Sequence, residues 1–171
     1  MLKNKALKSA INGIVITDAL KPDNPIIYFN PAFKKLTGYT KEEILHKNCR
    51  FLQKDDTQQE AINKLKNAIK KGEKCQVTLR NYKKDGTLFW NDLHITPIKN
   101  DKGIVTNYIG ILNDITDKKN TEEERNYLAK IIDESVNEIH VFDDKTLKYI
   151  NVNNGAQKTL GYTLDEFMII T

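Results

Sequence analysis

Cysteine is scarce in this 171-residue chain, where Cys49 and Cys75 are the only two. They make no disulfide framework, and neither sits in a C-x-x-C pair, so stapled secreted domains and zinc modules are excluded. A reducing cytoplasm is the expected setting. Long apolar runs are missing too. Stretches such as Ile109–Leu112 fall far short of the roughly 20 residues a membrane helix needs. The opening Met1-Leu2-Lys3-Asn4-Lys5 lacks the apolar core of a secretory signal. No glycine-rich phosphate loop occurs, which removes Rossmann and P-loop sites. The net charge of +4 comes largely from lysines such as Lys64, Lys66, Lys70, Lys71 and Lys74. No arginines or aromatics interleave with them, so they read as a solvated helix face and not as a nucleic-acid patch.

What is present is ordinary globular composition, 39% apolar and 29% charged. Strands are predicted at Ile14–Thr17 and Ile26–Phe29, split by a turn holding Pro22, Asp23, Asn24 and Pro25. Thr40-Lys41-Glu42-Glu43 is a capping box, and Thr57-Gln58-Gln59-Glu60 is another, opening a longer helix that Gly72 ends. From Cys75 the period changes to two, and Asp85-Gly86 turns the chain into a strand over Leu88–Ile98. A third strand follows over Ile104–Asn113. Two strands, several short helices and a three-strand antiparallel meander predict one small α+β core. After Thr116 the chain turns charged and helical, with a third capping box at Thr121 and a late apolar stripe of Tyr127, Leu128, Ile131 and Ile132.

An internal repeat then appears. Asn12–Asp18 is echoed by Asn137–Asp143, and Leu36–Glu43 by Thr159–Glu166. Asn12 maps onto Asn137 and Gly38 onto Gly161, so the offset falls from 125 to 123 and one turn is two residues shorter. The second copy stops before any meander. A half-copy cannot bury a complete core, which predicts that the chain is the front end of a longer protein.

Polar residues interrupt the apolar faces in a pattern that points to a ligand. Asn81 lies in phase with Val77 and Leu79, and Asn91 with Phe89, Leu93 and Ile95. A buried amide without a partner costs about 1–3 kcal/mol, so two on facing strands are met either by each other and the backbone or by a polar ligand. Asn48-Cys49-Arg50-Phe51-Leu52-Gln53 packs two amides, a thiol and a guanidinium into six residues. Arg50 suits an anion such as phosphate, through its planar fork of donors. Asn48 and Gln53 can donate and accept toward a heterocycle or sugar chain.

That hexapeptide resembles the signature of light-oxygen-voltage (LOV) domains, the photosensory branch of the PAS fold. Its surroundings are similar in order: Asp23–Tyr28, Leu36–Tyr39, Asn81–Gly86, Phe89–Asn91 and Asn113–Thr116. The resemblance implies a PAS fold, with a five-stranded antiparallel sheet, short helices on one face and a C-terminal linker helix. It divides the chain into an N-terminal cap (1–10), a LOV domain (11–116), a helical linker of coiled-coil character (117–135) and an incomplete second PAS-like segment (136–171). It implies flavin mononucleotide (FMN), bound non-covalently, with Cys49 forming a reversible bond to the flavin C4a carbon under blue light as N5 gains a proton. Arg50 then holds the phosphate, with Lys66 where the family usually offers a second arginine. Asn48, Gln53, Asn81 and Asn91 face polar atoms of the ring and ribityl chain, and Thr17, Asn30, Leu52, Ile62, Leu79 and Leu93 line the pocket.

One departure stands out. The family's last strand normally carries a glutamine beside flavin N5, and here that position is Leu112. Leucine neither donates nor accepts, so water, Asn91 or Asn113 must substitute if the signal is to leave the pocket. Without its neighbours Cys49 reads as a structural thiol, and His46 three residues earlier suggests a thiol–histidine nucleophile; no orienting acid supports the latter. Cys75 falls on an apolar strand face and reads as core. His94 and His140 are isolated, and no metal site is expected. The expected whole is a sensor module and not an enzyme, homodimeric through the linker helix or a sheet face, with an output domain outside this chain. The alternative is a PAS module that senses another ligand or serves as a scaffold.

Overall fold

Alternating burial builds the sheet of the computed structural model, which describes residues 2–169 apart from the side chains of Leu2, Lys3, Asn4 and Ala6. Met1 of the expected cap and residues 170–171 of the second segment lie outside the described residues. The chain divides into two compact units between Asp117 and Lys118.

The first unit starts with α1 (Leu2–Ser9), β1 (Gly13–Asp18) and β2 (Ile26–Phe29). Next come α2 (Pro31–Thr37), α3 (Lys41–Ile44), a 3-10 turn (Cys49–Gln53) and α4 (Glu60–Lys71). The meander β3 (Cys75–Tyr82), β4 (Leu88–Lys99) and β5 (Val105–Asp114) closes the sheet. All pairings are antiparallel, in the order β2-β1-β5-β4-β3. Because side chains alternate across a strand, Val15 and Thr17 of β1, Val77, Leu79 and Asn81 of β3, and Tyr108 and Leu112 of β5 are buried. Phe33 of α2, Ile44 of α3 and Leu52 of the 3-10 turn cover that face and pack with Val15, Ile26 and Leu112. The expected five-stranded PAS sheet with short helices on one face is therefore present.

Local start and stop signals hold in part. Glu43 accepts a hydrogen bond from the Thr40 amide at 2.8 Å, and Gly72 ends α4 at φ 66°. The Thr57 box does not open α4, which begins at Glu60. Gln59 instead spends its amide on β3, accepting from Arg80 N at 2.7 Å and donating to Arg80 O at 3.0 Å. The Thr121 box is likewise interior to α5 (Thr116–Glu134), because Asp114 Oδ1 accepts from Thr116 N at 3.0 Å and starts that helix five residues earlier. Cys75 is half-buried rather than enclosed.

The second unit repeats the opening order of the first, with β6 (His140–Phe142), β7 (Tyr149–Val152), α6 (Asn154–Leu160) and α7 (Leu164–Ile169). Val152, Ala156 and Phe167 form its small core. Gly161 ends α6 at φ 77° as Gly38 ends α2 at φ 75°. Helix α5 buries no described residue, and Tyr127, Leu128, Ile131 and Ile132 are exposed along it. Among the described residues no helix is long and apolar enough to cross a membrane.

Candidate functional site

Between the inner sheet face and the helices lies a pocket enclosing about 730 Å³ of space not filled by atoms, its mouth included. Of the residues singled out from sequence, it brings together Thr17, Asn48, Cys49, Arg50, Leu52, Gln53, Leu79, Asn81, Asn91, Leu93 and Leu112.

Three do not line it. Asn30 is wholly buried, but its side chain caps α2, accepting from Phe33 N at 3.0 Å and Ile14 N at 2.8 Å. Ile62 is buried one turn before Leu65, and Lys66 is exposed on the far side of that residue. A helix presents one residue in every three or four to a given surface, and in α4 those are Leu65 and Ile69.

The pocket also takes Val15, Asn24, Ile95, Tyr108 and Gly110. A signal for the last two was available: they lie in phase with Leu112, and a glycine inside a strand marks a close approach. A Cβ at Gly110 would meet Val15 Cγ2, on its partner across the β1–β5 ladder, at 2.9 Å, so a larger residue there would have to displace Val15. Asn113, one residue from Leu112, is in the opposite phase and faces Asp92 of β4 across the ladder. A one-residue step changes the face, so Asn113 lies on the opposite face from Leu112 and does not supply an amide inside the pocket.

Cys49 opens the 3-10 turn, whose N-cap Asn48 accepts from Arg50 N at 3.0 Å. Burial pushes the thiol up to about 12; a backbone hydrogen bond and then the Arg50 charge pull less strongly the other way. The group is a thiol, not a thiolate, at neutral pH. With His46 exposed, nothing favours the thiol–histidine nucleophile, which needs an ionised sulfur.

The polar wall is made by two amides. Asn91, 1% exposed, donates through Nδ2 to Asn81 Oδ1 at 2.9 Å, and Asn81 donates to Arg80 O at 2.9 Å. Asn91 Oδ1 is buried with no partner. Buried polar atoms are paired in the great majority of cases, so this acceptor marks where a ligand donor belongs.

At the mouth, Arg50 Nη1 bonds both oxygens of Asp23, at 2.5 and 2.6 Å. Asn48 Nδ2 donates to the Asp23 carbonyl at 2.5 Å. Asp23 and Asn24 take left-handed backbone, φ 69° and 45°, which these two residue types tolerate best. That turn lays Asn24 against the pocket.

Residues 11–117 match the PAS domain family. The chain is 46% identical to the blue-light photoreceptor of Listeria monocytogenes over 112 residues, covering 66% of this chain and 44% of that protein. It is 42% identical to the blue-light-activated histidine kinase 1 of Erythrobacter litoralis over 122 residues, covering 69% and 34%. A solved structure reported as "Flavin Analogue Sheds Light on Light-Oxygen-Voltage Domain Mechanism" superposes with a TM-score of 0.64 at 38% identity, covering 76% of this chain and 96% of that one. The chain spans less than half the length of the curated relatives it matches.

Proposed function

This chain belongs to the light-oxygen-voltage branch of the PAS domain family, and we propose that it senses blue light through FMN held in the pocket beside Cys49. The observation that carries this reading is the Cys49 thiol in one pocket wall with the partnerless Asn91 Oδ1 in another. Gly110 and the apolar walls of Leu52, Leu79, Leu93 and Leu112 fit a flat heterocycle. When bound, the flavin supplies blue-light absorption and, once excited, a ring carbon for the Cys49 sulfur and a ring nitrogen for the thiol proton.

The residues of the chain do the rest. Cys49 keeps its proton in the dark because burial disfavours the thiolate. Asn81 and Asn91 fix the polar edge, while the leucines exclude water. Arg50 anchors the phosphate after releasing Asp23, and Asn48, Gln53 and Thr17 hold the ribityl chain. Lys66, exposed and outside the pocket wall, contributes only long-range charge.

The exposed stripe on α5 supports pairing with a second copy through the linker. The relatives that carry kinase or transcriptional-activator names support an output domain beyond this sensor module. The two free cysteines accord with a cytoplasmic site of action. An absorption spectrum tests the reading. The purified protein is expected to be yellow, to bleach under blue light and to recover in darkness, while Cys49→Ala keeps the flavin and loses the bleaching. A colourless protein that takes up no added FMN points instead to a PAS module for another ligand.

A further inference from the structure

Leucine at 112 and an outward Asn113 leave β5 without an amide in the pocket, although α5 begins only a few residues later. β3 and β4 do supply amides, and they also reach α5. Asn91, with its partnerless Oδ1, donates to Asn81, which donates to the Arg80 carbonyl. That carbonyl also receives Gln59 Nε2 at 3.0 Å. The Arg80 guanidinium binds Asp56 at 2.7 and 2.9 Å and sits 5.8 Å over the Trp90 ring. Trp90 N donates to Thr116 Oγ1 at 2.9 Å, and its carbonyl accepts from Ile115 N at 2.9 Å. Thr116 is the first residue of α5.

We propose that in this chain the state of the pocket reaches α5 across β3 and β4, from Asn91 through Asn81 and Arg80 to Trp90, with Arg80 as the positioning residue. The inference rests on the flavin reading above. Its physics is the two-sidedness of an amide, donor on one edge and acceptor on the other. The amide orientations of this structure fit a proton donor facing Asn91; facing an acceptor instead, as the ring nitrogen is before it gains the thiol proton, the Asn91 amide turns and Nδ2 leaves Asn81. Asn81 turns in response and brings its own Oδ1 against the Arg80 carbonyl. Two acceptors repel, so the Arg80 peptide shifts toward Gln59, which still donates to it. The guanidinium moves with it over the Trp90 ring, a contact of cation–π type. Trp90 in turn holds both Ile115 and Thr116 by its backbone, so the first turn of α5 feels the change. Nothing in this path passes through position 112.

The test is hydrogen exchange of the full chain loaded with FMN, in darkness and under blue light, read at residues 116–120. In the unmodified chain, light is expected to change exchange there by about threefold or more, the scale of a modest population shift. Arg80 does not line the pocket, so Arg80→Ala should still bleach and recover. Its light-minus-dark difference at 116–120 should fall below about half, and Arg80→Lys should restore part of it because an ammonium can still lie over the ring. Trp90→Leu keeps the Asp56–Arg80 pair and serves as the second variant should Arg80→Ala fold poorly. A variant that bleaches and keeps the full difference overturns the proposal. So does an unmodified chain that bleaches with no change at 116–120. A chain that does not bleach overturns the flavin reading, and the proposal with it.

Discussion

Asn30 and Asn153 make corresponding bonds in the two units, with one further carbonyl partner at Asn153. Asn30 Oδ1 accepts from Ile14 N and Phe33 N, and Nδ2 donates to the carbonyls of Leu7 and Asn12, at 3.2 and 2.9 Å. Asn153 Oδ1 accepts from Ile139 N and Ala156 N, and Nδ2 donates to the carbonyls of Ile132, Ser135 and Asn137. Each asparagine thus ties the end of the preceding helix, α1 or α5, to the first strand and the first helix of its unit. The counterpart of α5 is therefore α1.

This latch predicts a stability loss. Asn30→Ala removes an N-cap and strands buried backbone groups, a cost of about 2–4 kcal/mol and on the order of 10 °C in Tm. Asn30→Asp keeps both accepting bonds but sets charge against two carbonyls, and should lose less. Thermal unfolding by circular dichroism checks both; a shift under about 2 °C for Asn30→Ala would mean the latch is idle.

The Cys49 thiol carries a pH signature. Its folded value of about 12 lies above the ordinary 9.0. Stability from the protonated thiol is therefore complete below pH 9 and is lost as pH rises toward 12. Stability of the flavin-free chain should fall over that window, and Cys49→Ala should flatten the fall. Alkylation with iodoacetamide at pH 8 should be roughly 30- to 100-fold slower at Cys49 than at an ordinary thiol, because the scarcer thiolate reacts, though each thiolate is more nucleophilic. Mass spectrometry of the labelled chain decides it.

On the proposed reading, Asp23 competes with the FMN phosphate for Arg50. Arg50→Ala should weaken FMN binding up to roughly a hundredfold and riboflavin much less. Asp23→Asn keeps a residue that tolerates left-handed backbone and removes the competing charge. The pair is exposed, worth at most about 1 kcal/mol, so preference for FMN over riboflavin should rise by up to about fivefold. Titration by flavin fluorescence measures both ratios. Equal losses of the two ligands in Arg50→Ala would show that Arg50 holds no phosphate.

Leu112→Gln places an amide on the pocket face of β5, beside Leu93 in the ladder. It should shift the visible spectrum and the dark recovery rate without being needed for a structural response to light. Spin-label distances along α5, dark and lit, check this. A response present only in the variant would show that output needs an amide at position 112.

What was legible in the sequence is what depends on neighbours along the chain. Period-two patterning put Asn81 with Leu79 and Asn91 with Phe89 on the buried face, and burial follows that phase. The Asn48–Gln53 string singled out the thiol that stands in the pocket wall, and the echoes at Asn137 and Gly161 singled out the opening order that β6 to α7 repeat. Capping boxes at Thr57 and Thr121 misplaced helix starts because Gln59 and Asp114 had better uses set by distant or preceding partners. The tertiary structure alone decided that Asn30 is a latch rather than a pocket residue and that Arg50 meets Asp23. Each of those depends on which segments far apart in the chain come to lie a few ångströms apart, and residue spacing along one segment carries no record of it.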